Sequence, residues 1–99
     1  MEPDFSSIHN RHEQRVYDQV LKAAARYPAV AKDPELIVDA ACLALNSLKP
    51  HYIRSVVDLL FHLSEAELTK DDAAIDAAVD SALTYIQSRA LAGGARGVR

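Results

Sequence analysis

The chain predicts a small, mainly α-helical domain of four to five helices, and three observations carry that expectation. Apolar residues recur at three- and four-residue spacing over long stretches. Start and stop signals bracket those stretches: Asp33-Pro34-Glu35 opens one and Ser64-Glu65-Ala66-Glu67 another, while Tyr27-Pro28 and Lys49-Pro50 close two. The composition, 49% hydrophobic and 25% charged over 99 residues, is that of an ordinary globular protein rather than a disordered one. A chain of this length makes one domain and buries only part of the surface its unfolded form exposes, so self-association would add useful burial.

Residues 1–7 are expected to be a flexible N-terminus, 8–91 a single helical domain, and 92–99 a Gly/Arg-rich disordered tail. Ser6 or Ser7 can cap a first helix that runs to about Arg26, with Val16, Val20, Ala23, Ala24 and Tyr27 on its buried stripe. A short linker follows Tyr27-Pro28. Asp33 is then an N-cap, Pro34 a first helical residue and Glu35 an acid in the positive first turn. This second helix, to about Ser47, is apolar nearly all round, with Asp39 its one interior charge, so it belongs in the middle of the domain. Pro50 to Arg54 reads as extended or irregular. From Val56 to Leu63 two signals compete. Ser55-x-x-Asp58 favours a short helix, which is the preferred assignment, whereas Val56, Val57 and Phe61 also suit a strand. The capping box at Ser64 opens a long last helix to about Leu91, with Ile75, Val79, Ala82, Leu83, Ile86 and Ala90 as its stripe. Some 26 residues span roughly 39 Å, more than the about 34 Å diameter of a compact domain this size. The stripe therefore predicts a homodimer formed through the last helix.

The net charge of −3 argues against a generic nucleic-acid coat, and no direct nucleic-acid partner is expected. The charge is uneven. Glu65 to Asp80 holds six acids against Lys70, while Arg11 to Arg54 holds seven basic residues and five acids. The single cysteine, Cys42, excludes an internal disulfide and a multi-cysteine zinc site, and its apolar surroundings predict a buried, inert thiol. Met1-Glu2-Pro3-Asp4 is acidic where a secretory leader needs a basic start, and no apolar run reaches the ~18 residues of a membrane span. A cytoplasmic protein with no membrane partner is expected. No Gly-rich phosphate loop, Gly-x-Ser-x-Gly or Cys/His pairing supports hydrolysis, so no enzyme and no catalytic residues are expected. His9-x-x-His12-Glu13 lacks the spacing of a helical zinc protease, and no metal is expected.

The chemistry-bearing stretch is Leu45 to Val56. Lys49, His51, Tyr52 and Arg54 fall within six positions after an apolar helix ends at a proline. Arg54 can donate two hydrogen bonds to a guanine O6/N7 edge or to a phosphate. Tyr52 or His51 can stack on a base, and Lys49 can neutralise a phosphate. Asp58, four residues past Arg54, can accept from a guanine N1–H and exocyclic amine. Arg11 and Arg15, four apart on one helix face, are second-element candidates, although Asp18 can neutralise them as well. Composition alone favours a solvated loop, with Tyr52 a half-buried anchor. Asp39 is read as structural, pinning the Tyr52–Arg54 loop, because a single acid in an apolar helix needs a donor.

Asp39-Ala-Ala-Cys-Leu-Ala-Leu-Asn46 followed by Leu48-Lys-Pro-His-Tyr-Ile-Arg54 resembles the late competence development ComFB family. That pattern is an Asp, an Ala/Leu-rich turn ending Leu-Asn, then Pro-x-Tyr and an aliphatic residue. The resemblance extends back to Ile8-His-Asn10 and Glu13 and forward through Val57-Asp58 and Phe61-x-Leu63-Ser64, covering about residues 8 to 90. It implies a small, helical, dimeric bacterial protein similar to receptors for cyclic dinucleotides, cyclic di-GMP above all. Some such proteins are linked to competence, pilus motility or cell-size control. Asn46 and Pro50 then become the scaffold that stops the helix, and His51, Tyr52 and Arg54 what the scaffold presents. Some members hold zinc through cysteines before the Asp. Ala31 to Leu36 has none here, so no zinc is expected. An interaction module without nucleotide, using the acidic last helix to meet an unknown downstream protein, is the alternative.

Overall fold

The structure, a computed structural model, describes residues 2–54 and 65–93. Among the described residues the fold is mainly α, with four helices and one two-stranded ribbon. A 3-10 turn, Phe5–Ser7, leads into strand β1 (His9–Asn10) and helix α1 (His12–Ala23), which a second 3-10 turn extends over Ala24–Arg26. Helix α2 (Pro28–Ala31), helix α3 (Pro34–Ser47), strand β2 (Tyr52–Ile53) and helix α4 (Glu65–Gly93) follow. β1 and β2 pair antiparallel, His9 opposite Ile53 and Asn10 opposite Tyr52. The expected short helix over residues 55–63 and the expected tail beyond Gly93 lie outside the described residues.

Cap chemistry explains the boundaries. Asp33 accepts a hydrogen bond from the Glu35 N–H at 3.0 Å, and Pro34 occupies the first turn of α3, as its sequence signal requires. The start of α1 differs from expectation. Asp4, not Ser6 or Ser7, is the first cap, accepting from the Ser6 N–H at 3.0 Å, and it opens only the short 3-10 turn. Residues 9 and 10 are drawn into the ribbon instead, and α1 begins at His12, whose N–H donates to the Asn10 side chain at 3.2 Å. Pairing with a segment forty residues away decides that boundary, and local capping signals carry no information about it. The expected linker after Tyr27 is one turn of helix, with Pro28 at its start and Val30 fully buried beneath it.

The core lies where α3 meets α1, α2 and α4. Val16 and Val20 of α1, Val30, Ala40 and Ala44 of α3, and Val79, Leu83 and Ile86 of α4 are essentially sealed from solvent. The expected stripes of α1 and α4 are the buried faces. Two refinements follow from the packing. Cys42 is exposed rather than buried, because α3 turns a narrow face to solvent that carries Val38, Cys42 and Asn46 at helical spacing. The apolarity of α3 thus overstates its burial. The α4 stripe is covered within one chain, since α1, α2 and α3 all pack on it. The large apolar side chains that α4 leaves exposed among the described residues are Tyr85 and Leu91.

The molecule measures 48 × 37 × 18 Å with a radius of gyration of 15.4 Å. A compact domain of this length has about 13 Å. The fold is therefore a slab two helix layers thick. No helix among the described residues is long and apolar enough to cross a membrane.

Candidate ligand-binding ribbon

After α3 ends at Ser47, Pro50 forbids a continued helix and the chain passes through His51 into β2. Three consecutive residues at the start of α1 grip this segment. The Arg11 N–H donates to the His51 carbonyl at 2.8 Å. The Asn10 side-chain oxygen accepts from the His51 N–H at 3.2 Å, while also accepting from the His12 N–H at 3.2 Å. His12 makes a hydrogen bond to the Lys49 main chain. Asn10 and His12 are themselves buried. The peptide groups of Lys49 and His51 are thus fixed from one side, and their side chains remain outside.

Lys49, His51, Tyr52 and Arg54 are all solvent-exposed, Tyr52 by 65%, while Ile53 between them is half-buried and anchors the strand. A cation, an imidazole, a phenol ring and a guanidinium line one short, backbone-fixed segment. Such a set can neutralise phosphate, stack on planar rings and read base edges.

Burial holds the His12 imidazole below its ordinary value, and the adjacent Arg11 charge adds to the effect. Asp71 and the bond to Lys49 oppose it without overcoming it. His12 is therefore a neutral hydrogen-bonding group near pH 7.

Arg11, the residue before α1, and Arg15 within it do not stand free beside the ribbon. The side chain of Arg11 is 8% exposed and paired with Asp71 of α4. Arg15 pairs with Asp72, also on α4, and Arg26 with Asp80 at 3.0 Å. Asp18 is engaged by Gln14 of its own helix at 2.9 Å and does not neutralise Arg15. The basic first half and acidic last helix thus meet as a ladder of ion pairs between α1, the turn after it, and α4. Of the structural candidates, Asp39 is half-buried on α3, and Asn46 is exposed there with its amide near the Cys42 sulfur at 3.7 Å. Pro50 is exposed in the bend before β2. Among the described residues, Asn10, Arg11 and His12 make hydrogen bonds to Lys49 and His51, and β1 pairs with Tyr52 and Ile53. Asp58 lies outside the described residues. Among those described, no three His, Cys, Asp or Glu side chains gather as metal ligands would.

Sequence reasoning missed Asn10 and His12 as site-building residues. An Asn two places before a helix is a known turn former, and that signal stood beside the Ile8-His-Asn10 stretch of the family resemblance. Its second acceptor role depends on the long-range ribbon.

The model of the late competence development protein ComFB family matches residues 9–90, from the first ribbon strand to the last turns of α4. A search of curated proteins and of solved structures finds no match to the chain. The matched span contains the whole described helical core and the ribbon, and the chain belongs to the ComFB family.

Proposed function

We propose that this protein is a non-enzymatic receptor for a cyclic dinucleotide, with cyclic di-GMP the first ligand to test, and that it acts in bacterial signalling as a cytoplasmic homodimer. The observation that supports this is the ribbon. Lys49, His51, Tyr52 and Arg54 are exposed on a segment whose main chain is held by three neighbouring residues. A receptor gains from such pre-organisation, because little backbone entropy is lost when the ligand arrives. In this scheme Tyr52 stacks on a purine, Arg54 takes a guanine edge or a phosphate, and Lys49 and His51 complete the anion's surroundings. Asp58 is the candidate for the guanine Watson–Crick edge. Neither zinc nor any other cofactor takes part.

An interaction module that uses the acidic face of the last helix is the weaker proposal. Three of the six acids between Glu65 and Asp80, namely Asp71, Asp72 and Asp80, are already paired with arginines of the same chain. Titration calorimetry with cyclic di-GMP, cyclic di-AMP and GTP separates the two. The receptor proposal expects saturable heat with at least one cyclic dinucleotide and weaker or no binding of GTP. Silence from all three at tens of micromolar overturns it.

A further inference from the structure

Arg11 joins the ribbon to α4, and its guanidinium is only partly satisfied. Its main-chain N–H donates to His51 of the ribbon at 2.8 Å, and its Nη2 pairs with Asp71 of α4. The Nε and Nη1 atoms are buried and have no hydrogen-bond partner among the described residues. The side chain as a whole is only 8% exposed. A buried guanidinium with two silent nitrogens is a costly arrangement, because desolvated donors lose water without gaining an acceptor. The Lys49 main chain and His51 lie near His12, next to Arg11, and among the described residues the carboxylate paired with Arg11 is Asp71.

An oxyanion bound two-pronged to arginine uses Nη2 together with either Nε or Nη1, since both forks share that nitrogen. A phosphate arriving at the ribbon would therefore share Nη2 with Asp71, whose negative charge would repel it, and would satisfy one of the silent donors in doing so. We propose that Arg11 is a phosphate subsite guarded by Asp71, and that ligand phosphate displaces the carboxylate and loosens the α1–α4 contact. This rests on the receptor proposal above. It adds the identity of the phosphate-binding arginine and the element, α4, that responds to binding. α4 is suited to that role, because the first buried position among its described side chains is Ile75, one turn beyond Asp71. Its leading turns are held to α1 by the Arg11 and Arg15 pairs at their edge.

The test is titration calorimetry of the full chain with cyclic di-GMP, together with amide hydrogen exchange over residues 67–75. Asp71→Asn removes the competing charge and keeps the shape, so ligand should bind at least several-fold tighter than to wild type. Arg11→Lys keeps a cation for Asp71 but loses the fork, so affinity should fall by about tenfold or more, as expected of a charged hydrogen bond. Its melting temperature should stay near that of wild type. In wild type, ligand should speed exchange across residues 67–75; in Asp71→Asn those amides should already exchange fast and respond little. If wild type binds and both variants bind equally well, Arg11 touches no phosphate and the subsite is overturned while the receptor proposal stands. If wild type binds nothing, the receptor proposal falls and takes the subsite with it. If Asp71→Asn does not fold, Arg11→Lys and the wild-type exchange pattern decide alone. Unchanged affinity in that variant, or unchanged exchange in wild type, contradicts the displacement.

Discussion

The imidazole of His12 is buried against the Lys49 main chain, in a place where a charge would lose hydration next to the Arg11 cation. Its folded-state value therefore lies below the ordinary 6.5. The folded protein binds fewer protons than the unfolded chain between the two values, so this residue contributes stability above pH 6.5 that is lost as pH falls through that range. Wild type should melt at a lower temperature at pH 5.5 than at pH 7.5, and His12→Gln should show a smaller difference between the two. Equal differences in the two proteins would contradict the assignment. The sequence announced His12 only as half of a weak metal pattern. Nothing local says that a histidine one residue after Arg11 will be sealed under a segment beginning at Lys49, because that contact is made by folding, not by spacing. Lys49, His51, Tyr52 and Arg54 were legible for the opposite reason: polar and aromatic groups crowded after a helix-ending proline have no role in a core.

At the scale of elements, Asn10 is the joint between β1, α1 and β2. One side-chain oxygen accepts from His12 and from His51, so it starts a helix and fixes the ribbon together. Asn10→Ala should lower stability by about 1–3 kcal/mol, since it leaves two inward-facing N–H groups without their acceptor. Urea denaturation measures this, and a loss below about 0.5 kcal/mol, within the usual range for a surface substitution, would show that the joint is ornamental. Helix α4 begins at Glu65, and its expected cap Ser64 lies outside the described residues; α3 was legible from Asp33-Pro34-Glu35, because that signal acts within one turn. The first residues of α1 were not. Their conformation is set by β2, and ribbons of two residues have no periodicity to read. α3 was legible in extent but not in burial: Val38 and Cys42 are apolar and still face solvent, as many apolar atoms of any small domain must.

Across the whole molecule, the charge asymmetry between the two ends of the chain was plain in the sequence, but its meaning was not. Arg11, Arg15 and Arg26 of the basic half find carboxylates on α4. The exposed members of that ladder contribute little each, and Arg11, being buried, is the one that matters. Apolar grooves open among the described residues. One is lined by Tyr17, Leu21 and Val38 between α1 and α3; another is lined by Leu43, Ala82 and Tyr85 between α3 and α4. The second keeps the last helix in the proposed dimer even though its main stripe is covered at home. Light scattering at micromolar concentration should give twice the 10.8 kDa chain mass, and a monomer mass would remove the dimer. The central proposal is that the ribbon itself binds the ligand, and its most direct test is cyclic di-GMP titrated into wild type and Arg54→Ala at one salt concentration. Wild type should give saturable heat, and the variant should bind more weakly by about 1.5–3 kcal/mol with an unchanged melting temperature. No heat from wild type, or equal affinity in both proteins, would contradict it.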